Sequence, residues 1–473
     1  MLGVLGTGAA TLGLQDSSRA DGRGGLHALS AYLGIDQTQA AREPSPHALE
    51  LRPPDGAALR VDIARYRAPL IADGQLRAAA YEFDSHVYAR PAKRPIAIGL
   101  VRRGTVLRVR ERVRGPACRG GWYPLPTRGF VCSGGGFAVS RHAWHPSVRQ
   151  PRPDVRRALP FRYGRVNSRS ALRFFRIPRQ SEEAALLAHA DGEPWPEVVS
   201  KQLDGDYFVA IDRIENAGER SFYRTISGRY VRTERVDLKS EPKLHGQLLG
   251  PDMQLPLAFV YGDEQRVPLL RKLHGKPRVI GSAHKYARFQ VAGVEHWGDT
   301  EVVVGRGRKM AVEHRYVRIA RKRPRPDGIP RGAKWIHVDL GRQVLVAYRG
   351  DRPVFATLVS SGREDGHATP TGLFHVREKH ITVTMRGADP VQGPYEVAEV
   401  PWTMYYWNSY ALHGAYWHDS FGNTRSHGCT NLAPLDARWL FHFTDDALPA
   451  GWHARRQLKG TFVYFTRDQS AES

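Results

Sequence analysis

Residues 412–414 of the chain read Leu-His-Gly, and after an intervening loop residues 426–431 read Ser-His-Gly-Cys-Thr-Asn. His413 therefore precedes Cys429 by sixteen positions. A thiol is a useful nucleophile as thiolate, and an imidazole close by both lowers its pKa and takes its proton. Glycine at position 428 lets the backbone turn sharply and direct its N–H groups toward a developing oxyanion. The pattern predicts a cysteine acyltransferase site.

These residues carry a family resemblance. From Trp335 to about Thr466 the chain resembles the catalytic domain of the L,D-transpeptidases, the YkuD-type fold. The hallmark of that family is a His-Gly pair, a loop, then Ser/Thr-His-Gly-Cys, one residue, and Asn or Arg. Residues 368–374 (ATPTGLF) also resemble the family's Thr-Pro-x-Gly-x-Phe turn, and residues 401–404 (PWTM) resemble the segment that leads to the first histidine. The resemblance implies a mainly β catalytic domain, a β sandwich or barrel.

The resemblance also implies roles for individual residues. Cys429 would be the acylated nucleophile and His413 the general base. The Gly414 carbonyl would orient the imidazole, and the amides of Gly428 and Cys429 would form the oxyanion hole. Thr430 departs from the family, which mostly has an aliphatic residue there; since threonine is small and β-branched, we expect no loss of activity.

A second group of residues would hold the loop or contact the substrate: Ser426, His427, Asn431, Trp402 and Tyr406. For His427 a structural role is favoured over a direct catalytic one. Aromatic residues of this region more often belong to a core than to a substrate platform, although some of them are expected to line the groove.

A thiolate that attacks an amide gives a thioester. By resemblance, the donor is a tetrapeptide stem of peptidoglycan, cleaved between its third residue and the terminal D-alanine. Attack on the thioester by an amine of a second stem gives a 3→3 cross-link, attack by a lipoprotein lysine gives a tether, and attack by water makes the enzyme an L,D-carboxypeptidase, which is a hydrolase. None of these needs a metal or an organic cofactor. Carbapenems are expected to acylate the cysteine, as they do in the family.

Other chemistries remain open. His413, His418, His427 and Cys429 are residue types that bind zinc, but no second cysteine lies nearby. Ser426 is a poorer nucleophile candidate than Cys429 because a hydroxyl ionises far less readily at neutral pH. A non-enzymatic alternative is a cell-wall-binding protein whose catalytic domain is degenerate. The intact catalytic motif argues against this alternative.

At 473 residues the chain is long enough for about three domains. Residues 1–45 begin with an apolar Gly- and Ala-containing run (MLGVLGTGAATLGL) without a basic front, which predicts either the remainder of a secretory signal or a disordered tail. If this segment is a secretory signal, the protein is expected to be exported across the inner membrane into the periplasm or cell envelope. No run approaches the ~20 apolar residues of a membrane-spanning helix.

Three cysteines occur in the chain. Cys118 and Cys132 lie on either side of residues 121–123 (GWY), where a hairpin would bring them together, whereas Cys429 stands alone. A disulfide between the first two, typical of an oxidising compartment, is the prediction, with two free thiols as the alternative.

The formal net charge is +23, from 70 Lys plus Arg against 47 Asp plus Glu. The basic residues are scattered through strand-like segments, and no nucleic-acid module motif is present, so a specific nucleic-acid partner is not predicted. Such a surface favours adsorption to an anionic cell wall or membrane. The expected partners are peptidoglycan stem peptides and the wall polymer.

Ahead of the catalytic region the sequence predicts β structure. Residues 80–145 contain short alternating runs separated by Gly and Pro, which resemble a bacterial SH3-like barrel. Related phrases return within residues 155–318, which predicts further SH3-like modules; hairpins inside one larger domain are the alternative. Residues 319–333, rich in Arg and Pro, are predicted to be a linker, and residues 334–467 the catalytic domain. Short helices are predicted at 182–190 and 435–445.

Overall fold

The computed structural model describes residues 48–51, 59–62, 74–142, 151–167, 170–187, 189, 193–364, 366–389 and 393–467. Strands account for 49% of the structure and helices for 6%, so the mainly β prediction is confirmed. Strands β1 (Ala48–Leu51) and β2 (Leu59–Asp62) pair with each other. The predicted signal-like or disordered segment, residues 1–45, lies outside the described residues.

Residues 74–142 form the first accessory segment. Its strands are β3 (Arg77–Ala80), β4 (Asp84–Tyr88), β5 (Ala97–Arg102), β6 (Val106–Arg108), β7 (Trp122–Pro124), β8 (Phe130–Cys132) and β9 (Phe137–Ser140). Strands β7 and β8 pair with Trp122 opposite Cys132. A disulfide joins Cys118 to Cys132 across this hairpin.

Residues 151–241 form the second accessory segment. It comprises β10 (Arg162–Val166), β11 (Ala171–Phe174), helix α1 (Gln180–Leu187), β12 (Val199–Leu203), β13 (Asp206–Ala217), β14 (Arg220–Thr225), β15 (Tyr230–Arg232) and β16 (Val236–Lys239). Strand β17 (Gln247–Leu248) follows and joins the edge of the catalytic sheet. The predicted short helix at 182–190 is thus present, two residues earlier at its start.

Residues 251–320 form the third accessory segment. Its strands are β18 (Leu257–Val260), β19 (Arg266–Leu273), β20 (Lys276–His284), β21 (Arg288–Trp297), β22 (Thr300–Gly305), β23 (Ala311–Glu313) and β24 (Val317–Ala320). They make one open seven-stranded sheet in the order β20-β19-β23-β22-β21-β18-β24.

The second and third accessory segments share a succession of elements. In each, a long hairpin (β13–β14 or β21–β22) leads to a short strand, a 3-10 turn and a further strand. The 3-10 turns are Thr233–Arg235 and His314–Tyr316. The register shifts at the same place in both hairpins, between Ile211 and Arg213 and between Val291 and Gly293. This correspondence supports diverged copies, while the SH3-like character of the segments stays a prediction.

The catalytic region contains β25 (Lys334–Asp339), β26 (Val344–Arg349), β27 (Arg352–Leu358), β28 (Gly372–His375), β29 (Glu378–Asp389), β30 (Gly393–Trp407), β31 (Tyr410–Gly414), β32 (Thr430–Leu432), α2 (Pro434–Phe443), β33 (Ala454–Arg456) and β34 (Phe462–Thr466). Pro434 begins α2, as the sequence predicts. One sheet has the order β17-β27-β26-β25-β34-β28, and the long β29–β30 hairpin belongs to a second. The buried core, including Ile336, Leu412 and Leu440, draws residues from both sheets and from α2.

The sheets are sandwich-like and not closed barrels, which corrects the barrel form of the prediction. Edge strands pair with strands of neighbouring segments instead of closing on themselves, and such pairing satisfies their backbone groups. Strand β5 pairs with β33, and β13 pairs in parallel with β30 at Asp206–Phe208. A buried ion pair of 2.9 Å between Arg102 and Glu399 crosses the first of these junctions. The accessory segments are therefore built onto the catalytic region.

The predicted linker, residues 319–333, overlaps a strand at its start and ends where strand β25 begins. Its first two residues belong to strand β24, which extends to Ala320. From Arg321 to Ala333 no helix or strand is present, but Ile329 is 2% exposed and packs into the core around Trp335. Within the described ranges, no helix has the length and apolar character needed to cross a bilayer.

Candidate active site

Strand pairing brings the two halves of the catalytic motif together. Strands β31 and β32 are parallel neighbours, with Leu412 opposite Thr430 and His413 opposite Asn431. Cys429 is the residue immediately before β32. The loop of residues 415–428 makes the crossover between the two strands, so His413 on β31 lies beside the strand that Cys429 immediately precedes.

His413 is held in one tautomer. The residue is 2% exposed, and its Nδ1 lies 3.4 Å from the Gly414 carbonyl oxygen. Because a carbonyl can only accept, Nδ1 carries the proton and Nε2 is left as the basic nitrogen. Burial lowers the pKa of His413 to about 4, against a smaller opposite effect of the Gly414 carbonyl. At neutral pH the imidazole is uncharged and able to accept a proton.

Cys429 is partly exposed, and its thiol points toward the Ser409 carbonyl oxygen at 3.6 Å. Burial of the thiol raises its pKa to about 11, while a hydrogen bond from the backbone of Ala411 acts in the opposite direction. The sequence pattern predicts an imidazole that lowers the thiol pKa, whereas in the structure burial raises it. The resting pair at neutral pH is therefore a neutral thiol and a neutral imidazole, and ionisation must accompany the attack on a substrate.

The turn before the nucleophile requires glycine. Gly428 has φ of +115°, and a Cβ built at this position would lie 2.4 Å from the ring of Tyr410. The Gly428 N–H donates to Ser426 Oγ at 3.1 Å, and Ser426 Oγ in turn donates to the Cys429 carbonyl. The Gly428 amide is thus engaged within the loop, and its share in the oxyanion hole stays a prediction. Ser426 holds the loop, which is one of the two roles predicted for it.

Thr369 is a site residue to which the sequence motifs assign no individual role. It is 2% exposed, and its hydroxyl accepts from the Gly362 N–H at 2.9 Å and donates to the Gly428 carbonyl at 2.8 Å. This hydroxyl fixes the nucleophile turn to the segment that follows β27. The sequence signal was the Thr-Pro turn at 368–374, which resembled the family without revealing this contact.

Asn431 is anchored on two sides. Its backbone exchanges hydrogen bonds with Ser360 at 2.8 and 2.9 Å, and its side-chain amide lies 2.9 Å from Nε2 of His418. The Ser420 N–H donates to Nδ1 of His418 at 3.3 Å. Burial lowers the pKa of His418 to about 3. Asn431 therefore ties the strand after the nucleophile to the loop that carries His418.

His427 lies between two other rings. It stacks on Tyr395 with centroids 5.0 Å apart and meets His367 edge-on at 4.9 Å. Tyr395 belongs to β30, so the long hairpin covers the residue two positions before the nucleophile. This packing agrees with the structural role that was favoured for His427.

Trp402 and Tyr406 do not fit the substrate-contact role. Both side chains are fully buried, and the Trp402 indole donates to the Ala158 carbonyl at 2.7 Å. The Tyr406 ring packs on Phe465 with centroids 4.7 Å apart. A ring with no exposed surface cannot present a face to a stem peptide. Trp407, the neighbour of Tyr406, is 38% exposed and stacks on Tyr410, which packs against the Gly428 turn.

The second accessory segment contacts the crossover loop through aromatic rings. Tyr163 stacks on Tyr416 with centroids 4.0 Å apart, and Phe208 meets Trp417 at 6.2 Å. Trp417 in turn lies 5.6 Å from the His413 ring. A chain of packed rings thus runs from the second accessory segment to the candidate base.

Side chains of the third accessory segment hold the same loop by donating hydrogen bonds to its backbone carbonyls. Lys285 Nζ and the Tyr286 hydroxyl each donate to the Asp419 carbonyl at 2.8 Å. Arg318 Nε donates to the Gly422 carbonyl at 3.1 Å, and a Cβ at Gly422 would meet the Tyr261 ring at 2.8 Å. The loop between His413 and Cys429 is therefore fixed from outside the catalytic region.

The zinc alternative finds no donor set in the structure. Across the described ranges, no group of three or more His, Cys, Asp or Glu side chains converges on a point that would suit a metal ion. His413, His418 and His427 have the separate partners given above.

Comparison with known proteins bears on the same part of the chain. Residues 333–464 match the family model described as the L,D-transpeptidase catalytic domain, YkuD. No curated protein sequence gives a significant match to this chain.

Solved structures similar to the chain include several L,D-transpeptidases. A mutant Enterococcus faecium L,D-transpeptidase shares 25% identity over 29% of this chain and 50% of its own length, with a TM-score of 0.23. The E. faecium catalytic domain acylated by ertapenem shares 27% identity over 29% of this chain and all of its own, with a TM-score of 0.24. L,D-transpeptidase 3 from Mycobacterium tuberculosis shares 16% identity over 38% of this chain and 95% of its own, with a TM-score of 0.23.

The present chain spans about half the length of the full E. faecium enzyme that it matches. The family match begins at residue 333 and ends at residue 464, and it contains both His413 and Cys429. Residues 333–464 of the chain are an L,D-transpeptidase catalytic domain of the YkuD family.

Proposed function

We propose that the protein is a peptidoglycan L,D-transpeptidase that works through a thioester on Cys429. The observation that carries the proposal is the position of the partly exposed Cys429 next to strand β31, which carries His413. The Gly414 carbonyl fixes Nδ1 of His413. The family to which the domain belongs acts on peptidoglycan. Tetrapeptide stems are the proposed donors, and D-alanine is the product released.

In the acylation step, Nε2 of His413 takes the proton from Cys429 as Sγ attacks the carbonyl carbon of the third stem residue. The negative charge that develops on the carbonyl oxygen is accepted by the Cys429 N–H, with the Gly428 N–H, which is bound to Ser426 in the resting structure, as the second donor. The C–N bond then breaks, and the imidazolium returns its proton to the amine of the departing D-alanine. The thioester is left on Cys429.

In the second step an amine of another stem attacks the thioester carbonyl and loses its proton to His413. The C–S bond breaks, the thiolate regains that proton, and a 3→3 cross-link results. A lipoprotein lysine used as the amine would give a tether, and water would make the enzyme an L,D-carboxypeptidase. All three outcomes share the acylation half, and the family match favours transfer over hydrolysis.

The site of action we propose is the cell envelope, since the family acts on the cell wall. The disulfide between Cys118 and Cys132 is consistent with export to an oxidising compartment. A non-catalytic wall-binding protein is the alternative, and the same experiment distinguishes it.

The test is incubation of the full chain with tetrapeptide-rich sacculi, followed by mass analysis of the muropeptides released by a glycosidase. Fragments joined through two diamino acids support transpeptidation, and tripeptides alone identify a carboxypeptidase. Cys429→Ser protein is the matched control. If wild type and the variant give the same fragments, the proposal is wrong and the wall-binding reading gains support.

A further inference from the structure

The third accessory segment carries a hairpin whose outer half projects from the sheet. Strands β19 and β20 pair from Arg266–His284 to Leu273–Lys276, around a two-residue turn in which His274 and Gly275 both have positive φ. On its other side, β19 pairs with β23 only at Leu270 in the described structure. Residues 271–282 are twelve consecutive exposed positions. We call residues 271–280 the hairpin tip.

The hairpin tip carries four positive charges that are not paired with carboxylates in the part of the chain that the structure describes. It contains Arg271, Lys272, Lys276 and Arg278, and no Asp or Glu occurs anywhere from Gln265 to Val294. Arg271 lies directly opposite Arg278 in the register, a like-charge pair that destabilises a hairpin. Among the described residues, no carboxylate is within ion-pair distance of these four cations. The charge of Lys272 acts at longer range on Glu295 and helps to lower its pKa, but that carboxylate already pairs with Arg308 and Trp297.

The hairpin tip also exposes apolar side chains. Leu273 is 42% exposed, Val279 67% and Ile280 44%, which makes three of the ten large hydrophobic residues that the described structure exposes. Cations on an edge strand discourage pairing with other chains, and that role accounts for the arginines and lysines. It does not account for exposed Leu, Val and Ile at the end of a two-stranded ribbon, where they weaken solubility and add little to folding.

We propose that the hairpin tip docks on an anionic lipid surface. Lipid phosphates would neutralise the opposed arginines, and the apolar side chains would enter the boundary between headgroups and acyl chains, the combination typical of interfacial anchors. A second copy of the chain is a poor partner because it would bring the same cations against each other. A soluble polyanion would bind the cations but leave Leu273, Val279 and Ile280 in water.

The docking site is connected to the active site through one strand. Strand β20 runs from Lys276 at the tip to His284, and the next two residues, Lys285 and Tyr286, hold the Asp419 carbonyl. Nine strand residues span roughly 30 Å. A lipid-bound tip would therefore place the catalytic loop about that far from the surface, toward the wall.

The test is co-sedimentation of the full chain with vesicles made of equal parts phosphatidylglycerol and phosphatidylcholine, and with vesicles of phosphatidylcholine alone. We expect binding to the anionic vesicles, at least tenfold weaker binding of both Arg271→Glu/Arg278→Glu and Val279→Ser/Ile280→Ser, and little binding to the neutral vesicles. The control Lys93→Glu/Arg94→Glu makes the same change in net charge at two exposed residues of the first accessory segment. All variants should react with a carbapenem at the wild-type rate, which also verifies their fold.

Three results would overturn the proposal. The wild-type chain could fail to bind anionic vesicles, or the control variant could lose as much affinity as the arginine variant, which would make the charge nonspecific. Loss of binding in the arginine variant with full retention in the Val279→Ser/Ile280→Ser variant would identify the partner as a soluble polyanion. None of these results bears on the acylation of Cys429, so the proposed function stands or falls separately.

Discussion

The hydroxyl of Tyr286 donates a hydrogen bond of 2.8 Å to the carbonyl of Asp419, which lies in the loop between His413 and Cys429. Tyr286 belongs to the third accessory segment and is 133 residues away from its partner in sequence. Lys285 reaches the same carbonyl. The loop that sets the separation of base and nucleophile is thus positioned in part by a segment outside the catalytic domain.

The first prediction concerns this anchor. Tyr286→Phe combined with Arg318→Ala removes two hydrogen bonds to loop carbonyls, and a loop displaced by about 1 Å can cost up to about 100-fold in rate. We expect carbapenem acylation to slow about tenfold or more, with a small change in the unfolding midpoint because each bond contributes about 1 kcal/mol. Stopped-flow fluorescence measures the rate.

Tyr316→Phe is the matched control, since Tyr316 lies in the same segment and packs with Arg315 instead of the loop. A double variant with Arg318→Lys in place of Arg318→Ala should recover part of the acylation rate, because a lysine can still reach the Gly422 carbonyl. Wild-type acylation in the double variant would show that the catalytic domain positions the loop alone.

The second prediction concerns Gly428. Gly428→Ala must adopt φ of +115° and place its Cβ 2.4 Å from Tyr410, so the turn has to move. We expect acylation to fall at least about 100-fold, since misplacing the reacting groups by about 1 Å has that cost. Gly218→Ala is the control for backbone strain, because Gly218 has φ of +63° with open space around it. Equal acylation rates in the two variants would contradict the account of the turn.

The third prediction concerns Thr369, whose hydroxyl joins Gly362 to Gly428. Thr369→Val keeps the shape but leaves one buried N–H and one buried C=O without their partner, at a cost of about 1–3 kcal/mol for each group. We expect a lower free energy of unfolding in urea and slower acylation. Thr371→Val, an exposed position in the same turn, should change neither quantity. A Thr369 variant as stable as the Thr371 variant would remove this residue from the site.

The fourth prediction concerns pH. The pKa of Cys429 is raised by burial, so the thiol is neutral below about pH 11, and the pKa of His413 is lowered, so the imidazole is neutral above about pH 4. The acylation rate should therefore fall as acidification protonates His413 and show no further step near neutral pH. Ultraviolet thiolate absorbance should be missing at neutral pH and appear in alkali.

Cys429→Ser identifies the thiolate signal by removing it, since Cys118 and Cys132 are joined in the disulfide. Substantial thiolate absorbance from Cys429 at neutral pH would replace the neutral pair with a preformed thiolate and imidazolium. That result would contradict general-base transfer during attack.

The sequence indicates a candidate site because the chemistry of that site is concentrated in two short stretches. The His-Gly pair lies on β31, the Ser-His-Gly-Cys run leads directly into the neighbouring strand β32, and one loop separates them. The strands β25 to β27 and both helices were also predictable, since hydrophobic alternation and a proline at the helix start are local signals.

What the sequence could not predict depends on long-range packing. The bond of Tyr286 to Asp419 joins positions 133 residues apart, and the parallel pairing of β13 with β30 joins different segments. The engagement of the Gly428 amide by Ser426 depends on the turn geometry. The thiol pKa depends on burial, which a motif does not contain.

The central claim is that His413 deprotonates Cys429 for attack on a carbonyl, and intact-protein mass spectrometry after exposure to a carbapenem tests it most directly. We predict one adduct per wild-type chain, none on Cys429→Ser, and formation at least about 100-fold slower on His413→Gln, the usual effect of losing a general base. An adduct that persists on Cys429→Ser, or one that forms on His413→Gln at the wild-type rate, would contradict the account.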